Sequence, residues 1–241
     1  MAKRVTIFVT CIVDQLFPNA GMAMASVLEQ LGYEVDFPEA QTCCGQPAFN
    51  TGYRDEARTV ALHTMKVLKG AEYVIVPSGS CTSMISHHYH DLFPKDSPEY
   101  HEAEELSHRV YEFSKFLTDV AKVEDFGANY DGVVTFHDAC HGLRDLKVKD
   151  GPRRMLANVK GLELREHDTC EECCGFGGTF SVKFAELSGH MVRTKLDSIV
   201  RSGADTVAAV DCSCLMQIQG AISRAGLPIK TKHLAEILAS R

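Results

Sequence analysis

The sequence predicts an α/β protein written twice, two similar halves with mostly parallel sheets. Two observations carry this. Short β-branched runs alternate with stretches of helical period along the whole chain, and one cysteine pattern recurs in the same order and at nearly the same spacing. The 241 residues and 45% hydrophobic content can bury a sizeable core as one large domain or two fused halves.

In chain order, residues 4–9, 33–37 and 73–76 read as strands of the first half, and 132–136, 162–166 and 206–210 as strands of the second. Between them lie helix-period segments such as "GMAMASVLEQLG", "RDEARTVALHTMKVLKG" and "SVKFAELSGHMVRTKLDSIVRSG". The stretch "SPEYHEAEELSHRVYEFSKFLTDVAKVEDFG" is rich in good helix formers and separates the halves. The expected organisation is therefore a first half over 1–96, a helical connector over 97–127 and a second half over 128–241. The opening "MAKRVTIFVTCIVD" superficially resembles a signal peptide. Asp14 ends its apolar run early and threonines interrupt it, so it reads as the first buried strand, with a cytoplasmic location expected.

The formal charge of −7 argues against a nucleic-acid partner, because phosphate binding normally leaves a basic excess. No apolar run approaches the roughly 20 residues of a membrane span.

Ten cysteines are the main chemical signal. Disulfide frameworks belong to small secreted chains, so a chain with a good core and a cytoplasmic reading favours metal or reactive thiols. Cys11 follows the first strand, Cys43-Cys44-Gly45 comes after 31 intervening residues, and Cys81 follows the third strand. Cys140, then Cys173-Cys174-Gly175 after 32 intervening residues, then Cys214 repeat this in the second half. Loops at the carboxyl ends of parallel strands gather at one edge, so cysteines far apart in sequence can converge. Neighbouring cysteines can hardly bridge each other, since a trans peptide holds their Cα atoms too close. Thiolate-only sets select iron-sulfur clusters or zinc. The short paired C-x2-C spacings of zinc sites are absent from the first half. Two adjacent thiolates can each take a different iron of one cluster, and the following glycine allows the positive φ that brings backbone close to it.

These motifs resemble the cysteine-rich CCG domain found in heterodisulfide reductase and in the iron-sulfur subunit of glycolate oxidase, and the resemblance covers nearly the whole chain. The segments "PSGSCTSMI", "HDACHGLRDL", "CCGFGGTFSVKF", "DCSCLMQI" and "KHLAEIL" are similar to the lactate-utilisation members of that family. The resemblance implies two Rossmann-like halves and one or two [4Fe-4S] clusters, of the cubane or the non-cubane kind. Their expected ligands come from Cys11, Cys43, Cys44, Cys81, Cys140, Cys173, Cys174, Cys212 and Cys214. It also implies partners, the other iron-sulfur subunits of a complex that oxidises L-lactate to pyruvate, with this chain passing electrons. The alternatives are a cluster-dependent thiol-disulfide reductase subunit and a zinc-stabilised scaffold.

The chain departs from the reductase pattern, which ends in C-x-x-C. Ser78 and Asp211 stand where the first of those two cysteines is expected, and Cys170 and Cys212 are the extra thiols that could compensate in the second half. His137 and His141 bracket Cys140 as candidate iron ligands or hydrogen-bond donors to a cluster. The run containing His87, His88 and His90 reads as a solvated helix surface, and the glycines at 175, 177 and 178 as a cluster-wrapping turn. Glu171 and Glu172 read as a solvated turn.

Overall fold

The computed structural model describes residues 3–241. The first half runs β1 (Arg4–Ile7), α1 (Cys11–Leu16), α2 (Pro18–Gln30), β2 (Glu34–Asp36), α3 (Gln46–Asn50), α4 (Arg54–Val67), β3 (Val74–Val76), α5 (Gly79–Ser83), α6 (Pro98–Ser107), β4 (Val110–Glu112) and α7 (Phe113–Phe116). The second runs β5 (Asn129–His137), α8 (Cys140–Arg144), α9 (Asp150–Ala157), β6 (Lys160–Leu164), α10 (Phe180–Lys183), α11 (Ala185–Ser202), β7 (Thr206–Ala209), α12 (Cys212–Arg224), β8 (Lys230–His233) and α13 (Leu234–Leu238).

Each half is organised on its own four-stranded sheet, in the orders β2-β1-β3-β4 and β6-β5-β7-β8, and every strand pair is parallel. This bears out the α/β, pseudo-duplicated reading. The central strands β3 and β7 are buried along their length, the continuous apolar pattern that a sheet covered on both faces requires. In both sheets the connection direction reverses between the two middle strands, which opens a crevice at their carboxyl ends. Cys11 and Cys81 follow β1 and β3, and Cys140 and Cys214 follow β5 and β7, so the topology itself delivers four cysteines to two such crevices.

The six expected strands form close to their expected places, and two more complete the sheets. β4 lies inside the stretch read as a helical connector, and β8 is a short "KTKH" run. Three-residue β4 is hidden among strong helix formers. α6 begins as the sequence reading implies, with Ser97 accepting from the Tyr100 amide and Pro98 in the first turn. The chain then turns into the sheet because Val110 and Glu112 are buried there.

Glu112 ends β4 and caps α7, accepting from the Ser114 and Lys115 amides at 3.0 Å each and from the Ser114 hydroxyl. Burial pushes its carboxyl up from 4.5 to about 7, against those donors. The folded chain then holds this proton more tightly than the unfolded chain. The linked stability is complete below 4.5 and is lost as pH rises through about 7. The loss is on the order of 3 kcal/mol. The thermal midpoint is expected to fall as pH rises through this window and to fall less steeply in Glu112→Gln; parallel profiles for the two proteins would contradict the assignment.

The halves meet through α5 and α8 and through an antiparallel bridge between Ser78 and Asp211. A Cβ on Gly79 would lie 2.9 Å from both the Cα and the amide nitrogen of Gly142, so backbone passes against backbone at this crossing. Opposite this, α2 packs on α13 within an apolar core that draws Val5, Ile7 and Leu28 from one half and Phe136, Val207 and Leu238 from the other. No helix among the described residues is long and apolar enough to cross a membrane.

Candidate metal centre

Each crevice collects four sulfurs. Cys11 and Cys140 open short helices, while Cys81 and Cys214 sit in the first turns of α5 and α12. At α5 and α12 the first-turn amides are already taken by Ser78 and Asp211, so these thiols do not draw on free helix amides. Cys43-Cys44 and Cys173-Cys174 complete the sets from the turn after β2 and the loop after β6. Gly45 and Gly175 turn the backbone there with φ of 83° and 84°, the left-handed conformation expected of them, and their amides point at the Cys43 and Cys173 sulfurs at 3.4 Å. Neither position would accept a side chain. A Cβ on Gly175 would fall 2.9 Å from the Ser188 carbonyl, and one on Gly45 would fall 3.3 Å from Val60.

All ten cysteines are free. Cys44 and Cys81 stand with sulfurs 3.2 Å apart, as do Cys174 and Cys214. Those separations are well beyond a covalent bridge of about 2.05 Å. Within each half the thiols form a chain of donors. Cys43 accepts from Cys11 and Cys44, which holds it down to about 3, and Cys173 accepts from Cys140 and Cys174, which holds it down to about 2. Their neighbours Cys11, Cys44, Cys140 and Cys174 are pushed up, because each donates to an already anionic sulfur. Sulfurs packed this tightly accommodate a single negative charge among themselves. A multiply charged cation is what would let the rest ionise. The residues present therefore fit a metal or iron-sulfur group in each half.

Supporting hydrogen bonds fix the loops. The Gln41 side chain accepts from the Val9 amide at 2.6 Å and donates to the Ile7 carbonyl at 3.1 Å, clamping the end of β1 to the turn before Cys43. In the second half the same tie is made by backbone, the Asp138 amide donating to the Cys170 carbonyl at 3.0 Å. Gln46 donates to the Ser80 carbonyl, and Gln217 reaches the Ser188 hydroxyl, which in turn donates to the Gly175 carbonyl. Arg153 donates to both oxygens of buried Asp138, at 2.9 and 2.7 Å, behind the "HDACHG" loop.

A cavity of about 110 Å³ lies between the two sulfur sets, bordered by Cys43, Cys44 and Cys81 on one side and Cys140, Cys173, Cys174 and Cys214 on the other. The two positions that lack the expected thiols, Ser78 and Asp211, also line it. Ser78 donates to Asp211 Oδ2 at 3.0 Å, and the Ser80 amide donates to the same oxygen at 2.9 Å. Cys212 borders the cavity but is buried in an apolar cluster with Val13, Ala20, Ala209 and Leu215, outside the chain of four sulfurs. Cys170 contributes its carbonyl to the loop, and its thiol does not line the cavity. The readiest four-sulfur set in the second half leaves both out.

The two histidines of "HDACHG" part company. The His141 ring contacts Asp145 Oδ2 at 2.8 Å through Nδ1, and Asp145 also accepts from Ser83 of the first half. His137 is fully buried and burial pushes it well below its ordinary value, leaving a neutral ring. A ring nitrogen of His137 and the sulfurs of Cys174 and Cys214 all lie within 4.8 Å of one another, the one grouping of this kind among the described residues. His87 is exposed and His88 and His90 are half-buried, with no thiol gathered around them. Glu171 pairs with Lys149 at 2.5 Å on the surface.

One residue of the site carries no sequence signal. Lys195 is 1% exposed in α11, donates to the Thr169 carbonyl, and places its charge toward Cys174 and Cys214. In sequence its helix shows only a helical period; the folded packing is what shows that this lysine points inward.

Residues 5–86 and 134–219 each match the cysteine-rich CCG domain. The chain is 47% identical over 239 residues to lactate utilization protein A of Bacillus cereus (strain G9842), to lactate utilization protein A 2 of Bacillus mycoides (strain KBAB4) and to lactate utilization protein A of Bacillus thuringiensis (strain Al Hakam), with 99% of both chains covered in each case. A periplasmic solute binding protein of an ABC transporter from Actinobacillus succinogenes 130z, solved with bound D-allose, is 10% identical across 96% of this chain and 77% of that one, and its TM-score of 0.33 carries no weight. By its two domain copies and its near full-length relatives, the chain belongs to the CCG cysteine-rich domain family, among the lactate utilization proteins A.

Proposed function

We propose that this chain is an iron-sulfur electron-transfer subunit of a complex that oxidises L-lactate, acting with other iron-sulfur subunits. The observation that carries the reading is the duplicated set of four sulfurs, each with one thiol held anionic, facing a common cavity at the strand carboxyl ends. The lactate assignment rests on the relatives. Bound there, [4Fe-4S] clusters would supply single-electron storage and release. Cys11, Cys43, Cys44 and Cys81 would hold one, and Cys140, Cys173, Cys174 and Cys214 the other. The Gly45 and Gly175 amides, already aimed at sulfur, would stabilise negative charge at each site. The sequence contains no flavin or nicotinamide fingerprint, which supports a relay working with partners over an enzyme acting alone.

Protein purified without oxygen is expected to carry iron and acid-labile sulfide in equal amounts and to show no lactate-dependent dye reduction by itself. Stoichiometric zinc without sulfide would replace this reading with a structural one. Disulfide reduction by the isolated chain would favour a thiol-disulfide reductase.

A further inference from the structure

We propose that His137 is a direct ligand of the second-half centre, a nitrogen donor that the first half lacks, so that the two centres of this chain are chemically unlike. The inference rests on the iron-sulfur reading above and adds a fifth donor to the second-half set; four cysteines already fill the terminal sites of a cubane, so it takes this centre to be of the non-cubane kind.

His137 ends β5, three residues before Cys140, and its side chain has no solvent exposure. Neither ring nitrogen finds a hydrogen-bond partner. Folded proteins rarely tolerate such an orphaned buried polar group without a reason. The ring is nevertheless aimed at chemistry: one nitrogen and the Cys174 and Cys214 sulfurs lie within 4.8 Å of one another, with no hydrogen bond from the nitrogen to either sulfur. Ligands around one tetrahedral metal atom stand roughly 3.3–3.8 Å apart. A metal atom held among these three atoms would satisfy a nitrogen that no protein group satisfies. The Cys170 carbonyl lies near enough to favour a proton on the ring, without reaching hydrogen-bond geometry. A backbone carbonyl is a usual acceptor for the second nitrogen of a metal-bound histidine.

The first half gives the contrast. Phe8 holds the equivalent place, one residue past the end of β1 and three before Cys11 as His137 is three before Cys140, and it too is fully buried. The turn glycines align the flanking helices as well: Gly45 faces Ala57 and Val60, and Gly175 faces Ser188 and Met191. That register sets Thr64 against Lys195. The same backbone and the same four sulfurs are thus backed by an apolar ring in one half and by an imidazole with a buried lysine in the other. Ligand identity and nearby charge are the levers that set a cluster's reduction potential.

The test is pulsed EPR on anaerobic protein, poised in whichever oxidation state is paramagnetic, with iron and sulfide assayed on the same samples. The unmodified chain is expected to show the strong nitrogen coupling of a metal-bound imidazole, converted to the 15N pattern when only histidine is labelled. His137→Phe, which installs the first-half residue, is expected to abolish the coupling, and His141→Phe to keep it. The labelling arm needs no variant, so misfolding of His137→Phe cannot hide the answer. Iron and sulfide without strong nitrogen coupling, or coupling that survives in His137→Phe, overturns the ligand while leaving the iron-sulfur reading intact. Protein without iron or sulfide overturns both.

Discussion

Serine in place of Cys174 is expected to strip the second half of its iron while the first half keeps its own, and Cys173→Ser is expected to do the same. Both sulfurs belong to the chain that runs through Cys140 and Cys214, and Cys174 stands only 3.2 Å from Cys214. A serine hydroxyl is a harder donor and is far less readily ionised, so it substitutes poorly for a thiolate on iron. Changes to residues that merely orient ligands weaken metal binding about 10–100-fold, and loss of a ligand should do at least as much. Cys170→Ser is the internal comparison. Its carbonyl ties the loop through the Asp138 amide, a role that serine preserves, and its thiol does not line the cavity. Iron content measured on the three variants should separate sharply. Equal losses at all three would make Cys170 a ligand, and retention of iron in Cys173→Ser and Cys174→Ser would refute the cysteine-pair assignment.

The second large effect is expected at the junction of the halves. Asp211 is 1% exposed, and it gathers four donors: the Ser78 hydroxyl, the Ser80 amide, and the amide and hydroxyl of Ser213. It thereby caps α12 while also satisfying an amide at the start of α5. Asp211→Ala leaves the buried Ser78 hydroxyl and the half-buried Ser80 and Ser213 donors without this acceptor. Hydrogen bonds to a charged group contribute about 1.5–3 kcal/mol each and do not add fully, so a loss on the order of 4 kcal/mol is expected. That is a large share of the roughly 5–15 kcal/mol available to a folded domain. Ser78→Ala removes one donor and one cap, and should cost about 1 kcal/mol. Urea midpoints of the three proteins check this ordering. A midpoint for Asp211→Ala close to that of Ser78→Ala would show that the junction is held elsewhere.

Much of this architecture was legible because backbone periodicity and cysteine spacing are local signals. The buried triplet Val74–Val76 is β-branched throughout, and the glycine after each cysteine pair announces its own positive φ. β4 and β8 were not legible. Val110-Tyr111-Glu112 is too short to show a period, and the two lysines of β8 disguise a strand at the sheet edge. The site followed the same division. The eight cysteines of the repeat gather as their spacing implies, since strand ends bring them to the sheet crevices. What spacing could not tell was which extra thiol faces inward, because Cys212 differs from Cys214 only by its position around one helix turn. Lys195 escaped for a related reason: a lone lysine in an amphipathic helix is ordinarily solvated, and only tertiary packing reveals the exception.

The Ser78–Asp211 pair also bears on why the two halves share one chain. Were either half to assemble as a homodimer about a true two-fold axis, every group at the centre would face its own copy. Serine would meet serine, or aspartate would meet aspartate, the latter setting like charges together in a buried place. A hydroxyl against a carboxylate is possible only where the symmetry is broken, and covalent fusion breaks it by letting each copy change alone. The same freedom separates Phe8 from His137 and Thr64 from Lys195. Tandem duplication here did more than double the sulfurs; it released each copy from the constraint of matching its twin.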